Sequence, residues 1–170
     1  ERILPTILSR CQWVRFASLA ESLDKKILMN KGYSKTAANL LSRVHEKNIW
    51  IELDSPVLEE IIEKLTQWSL PFLTEDDSAL LDVQFGWISR EIEQGRARAL
   101  LEILLFWLKE VIKKDHQLFS DHQLLGRKIG VKVKEESILL AIDNIMIASR
   151  LVQRAELSAS GIWEQVVIAT

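Results

Sequence analysis

Two long segments dictate most of what this chain can become. Residues 96–114 carry Leu100, Leu101, Ile103, Leu104, Leu105, Phe106, Leu108, Val111 and Ile112. Residues 135–154 carry Ile138, Leu139, Leu140, Ile142, Ile145, Met146, Ile147, Leu151 and Val152. In both, apolar side chains recur at helical spacing and surround most of the circumference. A helix without a wet face must be enclosed by other elements. The expectation is a helical bundle built around these two segments. A hydrophobic share of 48% with 27% charged residues is a globular composition. Six glycines and three prolines in 170 residues are too few for the many turns of an all-β sandwich.

The rest of the chain reads as shorter helices. Ser18 with Glu21 forms a capping box, and Gly32 stops the helix that follows. Ser34 caps a second helix whose apolar face is Ala37, Ala38, Leu40, Leu41 and Val44. Residues 49–53 read either as a short strand or as a packed loop. Ser55-Pro56 opens a third helix, with an N-cap and then proline at the first helical position. Leu70-Pro71-Phe72-Leu73 ends it and marks a domain boundary. Thr74 with Asp77 caps a fourth helix that Gly86 bends or splits. A sixth element covers residues 121–129 and ends at Gly130, and Ser160-Gly161 opens a last helix over 162–168. The expected fold is all-α: a three-helix unit over residues 18–70, then a larger helical bundle over 71–170.

The chemistry-bearing residues are sparse. With 22 basic and 24 acidic residues the formal net charge is -2, so the chain presents no general cationic field for DNA. A single cysteine excludes an internal disulfide framework and fits a reducing compartment, so the chain is expected to be cytoplasmic. No leader or membrane span is expected, since the apolar stretch around 99–108 is broken by Glu102. Asp115-His116-Gln117-Leu118 recurs as Asp121-His122-Gln123-Leu124. Two His with two Asp can serve zinc, but spacing alone does not converge ligands, and a polar inter-helix loop is the preferred reading. His45 suits the end of its helix, and Asp76-Asp77 the start of another. The six tryptophans are scattered one per element, as core and interface residues are, rather than interleaved with cations. The basic run over 127–134 reads as a solvated connector. Neither a phosphate loop, a His–Ser–Asp set nor a zinc-protease motif is present, so the chain is not expected to be an enzyme by itself.

One motif is sharper. The run Ile3-Leu4-Pro5-Thr6-Ile7-Leu8-Ser9-Arg10-Cys11-Gln12 resembles the Ser-Arg-Cys motif of the AAA+ clamp-loader subunits of bacterial replicative polymerases. Residues 98–112 and the stretch from Ile142 to Ile168 are similar in pattern to that family's collar helices. The resemblance implies that residues 1–17 end a longer AAA+ core, that 18–70 form a three-helix lid, and that 71–170 form the oligomerising collar. The start at Glu1 rather than Met agrees with a piece of a longer chain. It also implies a role for Arg10: an arginine finger acting in trans on a neighbouring subunit's ATP site, positioned by Ser9 and Cys11. An always-charged guanidinium suits the charge that develops on a transferring phosphoryl group. Residues 42–48 lack the glycine-rich turn and basic sensor of nucleotide-binding lids, which fits a subunit that does not itself hydrolyse ATP. Ala155-Glu156-Leu157 stands where an Asn-x-Asn often precedes the last collar helix.

The implied partners are the other loader subunits in a hetero-oligomeric ring and, through it, the sliding clamp and primed DNA, with no membrane. The chain would hold no cofactor of its own, ATP and magnesium being bound by its neighbours. Two other readings remain open. One is a stand-alone helical adaptor in which Arg10 has no role. The other is a metal-dependent enzyme using His116, His122 and nearby acids.

Overall fold

The structure, a computed structural model, is described for residues 21–44, 47–114, 118–154 and 158–170. Its elements are α1 (Glu21–Asn30), α2 (Lys35–Leu41), α3 (Lys47–Ile51), α4 (Ser55–Leu73), α5 (Asp77–Gln84), α6 (Trp87–Glu93), α7 (Ala97–Lys113), a 3-10 turn (Ser120–His122), α8 (Gln123–Lys132), α9 (Glu135–Arg154) and α10 (Ala159–Ile168). Among the described residues there is no strand, and the fold class is all-α as expected. No helix among them is long and apolar enough to cross a membrane.

Helix α7 is the axis of the molecule. It packs along α9 and also meets α4, α6, α8 and α10. Leu100, Leu101, Leu104, Trp107 and Leu108 lose all contact with solvent. Each buried leucine of this kind stabilises the fold by about 1.5–3 kcal/mol relative to an exposed one. The buried apolar side chains run as one cluster from Leu28 to Val166.

Helix α9 departs from the sequence reading. Ile138, Ala141, Ile145 and Ala148 are buried, but Leu139, Leu140 and Ile147 on its other side are exposed. Its neighbours α7, α10 and α4 cover only one flank, and on the open flank exposed Leu140 and Ile147 stand among Glu136, Asp143 and Arg150.

Local signals set most of the ends. Ser34 Oγ accepts from Ala37 N at 3.2 Å and starts α2. Gly32, with φ +93°, ends α1: Tyr33 N donates to the Leu28 carbonyl and Gly32 N to that of Met29, the paired bonds of a left-handed helix stop. Gly86 stands at the break between α5 and α6, where a Cβ would collide with the Asp82 backbone, so only glycine fits.

Several expectations need correction. The helix expected to end over 70–73 does end there, at Leu73, but with Pro71 inside it. Proline removes the bond that residue 71 would donate to the Gln67 carbonyl, and the helix runs on for two more residues, Phe72 and Leu73, both buried. Thr74 closes that end, its N–H and its hydroxyl both reaching the Leu70 carbonyl, at 3.0 and 2.9 Å. The division expected near residue 70 therefore falls inside a helix that touches α2 as well as α5, α7, α8 and α9. Thr74 does not start α5; Asp76 does, accepting from Ser78 N at 2.9 Å. Asp54 rather than Ser55 is the N-cap of α4. Residues 47–51 are neither strand nor loop but the short helix α3, with Trp50 fully buried. Helix α8 runs past Gly130 to Lys132, and α10 opens at Ala159 with Ser158 as its cap.

Candidate functional site

Polar side chains converge where the 3-10 turn meets α2 and α4. Thr36 of α2 donates its hydroxyl to Asp121 Oδ2 at 2.8 Å. Thr66 of α4 commits its single hydroxyl hydrogen to the Glu63 carbonyl at 2.8 Å. The long 3.5 Å contact between Thr66 Oγ1 and His122 Nδ1 therefore has the imidazole as donor, which leaves Nε2 as acceptor in the neutral ring. Burial holds the His122 pKa below its ordinary value, against the pull of Asp121 and Glu63 in the opposite direction. The ring stands edge-on to Trp107 with centroids 6.4 Å apart. A shallow cleft of about 200 Å³ opens here, lined by Ser34, Thr36, Glu59, Ile62, Glu63, Asp121 and His122.

The sequence singled out Asp121 and His122 as half of a possible zinc set. The structure ties them to α2 and α4. Among the described residues no three His, Cys, Asp or Glu side chains gather as a metal ligand set. Asp115 and His116 lie outside the described residues, as do His45 and the motif residues Ser9, Arg10 and Cys11. Asp76 is a helix cap, and hydrogen bonds from Ser78 hold its carboxyl below the usual carboxylate range.

Glu110, which the sequence reading passed over, anchors the same turn. It is buried on α7. Its carboxylate accepts from Leu118 N at 2.9 and 3.1 Å and from Phe119 N at 3.2 Å. The signal available in the sequence was only an acid one turn after Phe106, in a helix that also carries Arg98, Glu102, Lys109 and Lys113. Glu110→Gln puts an amide NH₂ where one oxygen accepted, facing N–H donors. The expected loss is about 1–3 kcal/mol, the cost of an unsatisfied buried group. Chemical denaturation reads that loss, with faster amide exchange confined to Leu118 and Phe119. Wild-type stability in the variant would remove Glu110 as the anchor.

The tryptophans of the second block belong to the core, in line with their scatter of one per element. Trp107 and Trp163 are fully buried and Trp87 is half-buried. Their indoles are satisfied inside: Trp107 Nε1 donates to Ser69 Oγ at 2.8 Å and Trp163 Nε1 to the Ala97 carbonyl at 3.1 Å. The exposed apolar residues are aliphatic or Phe instead, notably Leu139, Leu140 and Ile147 on α9, Leu124 and Val131 on α8, and Phe85. The basic run is not a connector but the second half of α8 and the residues after it. Arg127, Lys128, Lys132 and Lys134 are solvent-exposed there, as a wet face requires. The described residues thus form a packed helical body with exposed aliphatic side chains on α8 and α9.

No protein family, no curated protein and no solved structure matches this chain.

Proposed function

We propose that the chain is the lid and collar of an AAA+ clamp-loader subunit, of the delta-prime type found in bacterial DNA polymerase III. The observation that carries the reading is the run from Ile3 to Gln12 with its Ser9-Arg10-Cys11 motif, followed, among the described residues, by helices and no strand. In this reading the collar assembles a hetero-oligomeric ring with other loader subunits. Arg10 completes a neighbour's ATP site in trans, with Ser9 and Cys11 positioning it. The ring opens a sliding clamp and places it on primed DNA in the cytoplasm. The chain holds no cofactor; its neighbours bind ATP and magnesium. It acts as a subunit of a DNA-directed DNA polymerase holoenzyme, which as a complex is a nucleotidyltransferase. A buried core with exposed aliphatic faces supports an assembling role, since such faces are protein contact sites.

The test is assembly. Mixed with purified clamp-loader partner subunits, the chain is expected to co-elute with them in one complex on size-exclusion chromatography. A chain that remains monomeric beside intact partners overturns the loader reading and leaves the stand-alone helical adaptor.

A further inference from the structure

Helix α9 turns an ordered seam outward. Glu136, Leu140, Asp143, Ile147 and Arg150 are all exposed and follow one another at steps of four, three, four and three. Leu140 and Ile147 are 48% and 54% exposed, well above what a helix facing its own core allows. This alternation is the spacing by which one helix lies along another at a crossing angle of about 20°. At 1.5 Å per residue the seam is about 21 Å long. Beside it Ile147, Ala148, Leu151, Ile162 and Val166, with the polar Asn144 and Gln165, line a groove of about 130 Å³ between α9 and α10.

The charges on the seam decide what can cover it. A second copy laid parallel would set Glu136 against Glu136, Asp143 against Asp143 and Arg150 against Arg150. Laid antiparallel about its centre, it would pair Glu136 with Arg150 and Leu140 with Ile147 but set Asp143 against Asp143; shifted by a layer, it would set Asp143 against Leu140 or Ile147. Each arrangement leaves Asp143 in the seam with no cation, a large penalty. One charged residue in a helical seam is a known device for choosing partner and register. We infer that the α9 face docks one helix of a different chain. That helix is apolar opposite Leu140 and Ile147 and carries a lysine or arginine opposite Asp143. Glu136 asks for a second cation at one end of the partner, and Arg150 for an acid at the other. The inference goes beyond the clamp-loader reading and does not depend on it.

The probe is a pair of synthetic amphipathic helical peptides with leucine and isoleucine along the seam. They differ only in carrying lysine or glutamate at the layer that faces Asp143. Titrated against the full chain, the lysine peptide is expected to bind at least about tenfold tighter than the glutamate peptide, an ordinary effect of charge complementarity. Asp143→Lys is expected to reverse that order, and Ile147→Glu to abolish binding of both. Asp143→Leu is expected to self-associate in sedimentation, where the wild-type chain stays monomeric. All these positions are exposed, so melting temperatures stay near wild type. Equal affinity for the two peptides, binding of neither, or a wild-type dimer that an Ile147→Cys cross-link maps to α9 would each overturn the inference. None of these readings uses a loader subunit, so they succeed or fail separately from the assembly test.

Discussion

Arg10→Ala is expected to slow ATP hydrolysis at the neighbouring site by about 10³–10⁵-fold, the range an arginine finger commands. The ring is expected to assemble as before, because the proposed contacts that hold it lie in the collar, far along the sequence from residue 10. The variant thus separates two functions that a truncation would remove together. Arg10→Lys keeps a positive charge but loses the planar fork of donors, so it restores only a small part of the rate. The measurement is single-turnover hydrolysis in the reconstituted ring, beside size-exclusion chromatography of the same sample. Single turnover matters because other sites in the ring continue to work and would mask the loss in a steady-state rate. Wild-type hydrolysis with Arg10→Ala in an intact ring would sink the finger, and the helical adaptor predicts that outcome. Loss of assembly would instead give Arg10 a structural place in the ring.

The parts of the fold that were legible in the sequence are those set by strong local chemistry. Helix α7 was readable because apolar residues surround it, and a central position satisfies that pattern. Ser34, Gly32 and Gly86 were readable because a side-chain cap, a positive φ and a close backbone approach each demand a particular residue type. The misreadings share another cause, which is tertiary packing overriding a local signal. Pro71 looks like a stop, and it does cost α4 a ladder bond, but the burial of Phe72 and Leu73 holds the last turn in place. Ile49, Trp50 and Ile51 favour strand by propensity, but a short helix lets Trp50 reach the core. Helix α9 reads as fully enclosed, and no sequence pattern can say that its neighbours leave one flank open.

The candidate site divides in the same way. Arg10 is visible as a motif and lies outside the described residues. Asp121 and His122 were visible as ligand types, but their partners Thr36 and Thr66 come from α2 and α4. Those contacts span 85 and 56 positions, so no spacing rule could supply them. Glu110 was hidden for a related reason: its partners are backbone N–H groups, which are the same at every residue and leave no mark in a sequence. The α9 seam was present in the sequence all along, but its meaning depends on exposure.

The polar turn and the core meet at Trp107, and there the largest effect on stability is expected. Its indole is fully buried on α7, donates from Nε1 to Ser69 Oγ at 2.8 Å, and stands edge-on to Phe119 with centroids 5.3 Å apart. Ser69 in turn donates to the Thr66 carbonyl, one turn earlier in α4. One side chain thus joins α7, α4 and the segment that Glu110 anchors. Trp107→Ala removes the ring, leaves a cavity and deprives Phe119 and His122 of the face they stand against. The expected loss is about 3–5 kcal/mol, the usual cost of emptying a large aromatic site. A domain of this size holds only about 5–15 kcal/mol in total, so the variant is left close to its unfolding threshold. Trp107→Phe separates the two contributions. It keeps most of the volume and the aromatic contact but drops the N–H donor, so the expected loss is about 1–1.5 kcal/mol, that of one hydrogen bond. Val131→Ala, at a position 87% exposed, should change stability by less than about 0.5 kcal/mol. Urea unfolding of the three variants, read as shifts in midpoint at constant slope, gives the ranking. If Trp107→Ala fell with Val131→Ala, α7 would not be the axis of the bundle. If Trp107→Phe fell with Trp107→Ala, the bond to Ser69, rather than the filled volume, would be what joins α4 to α7.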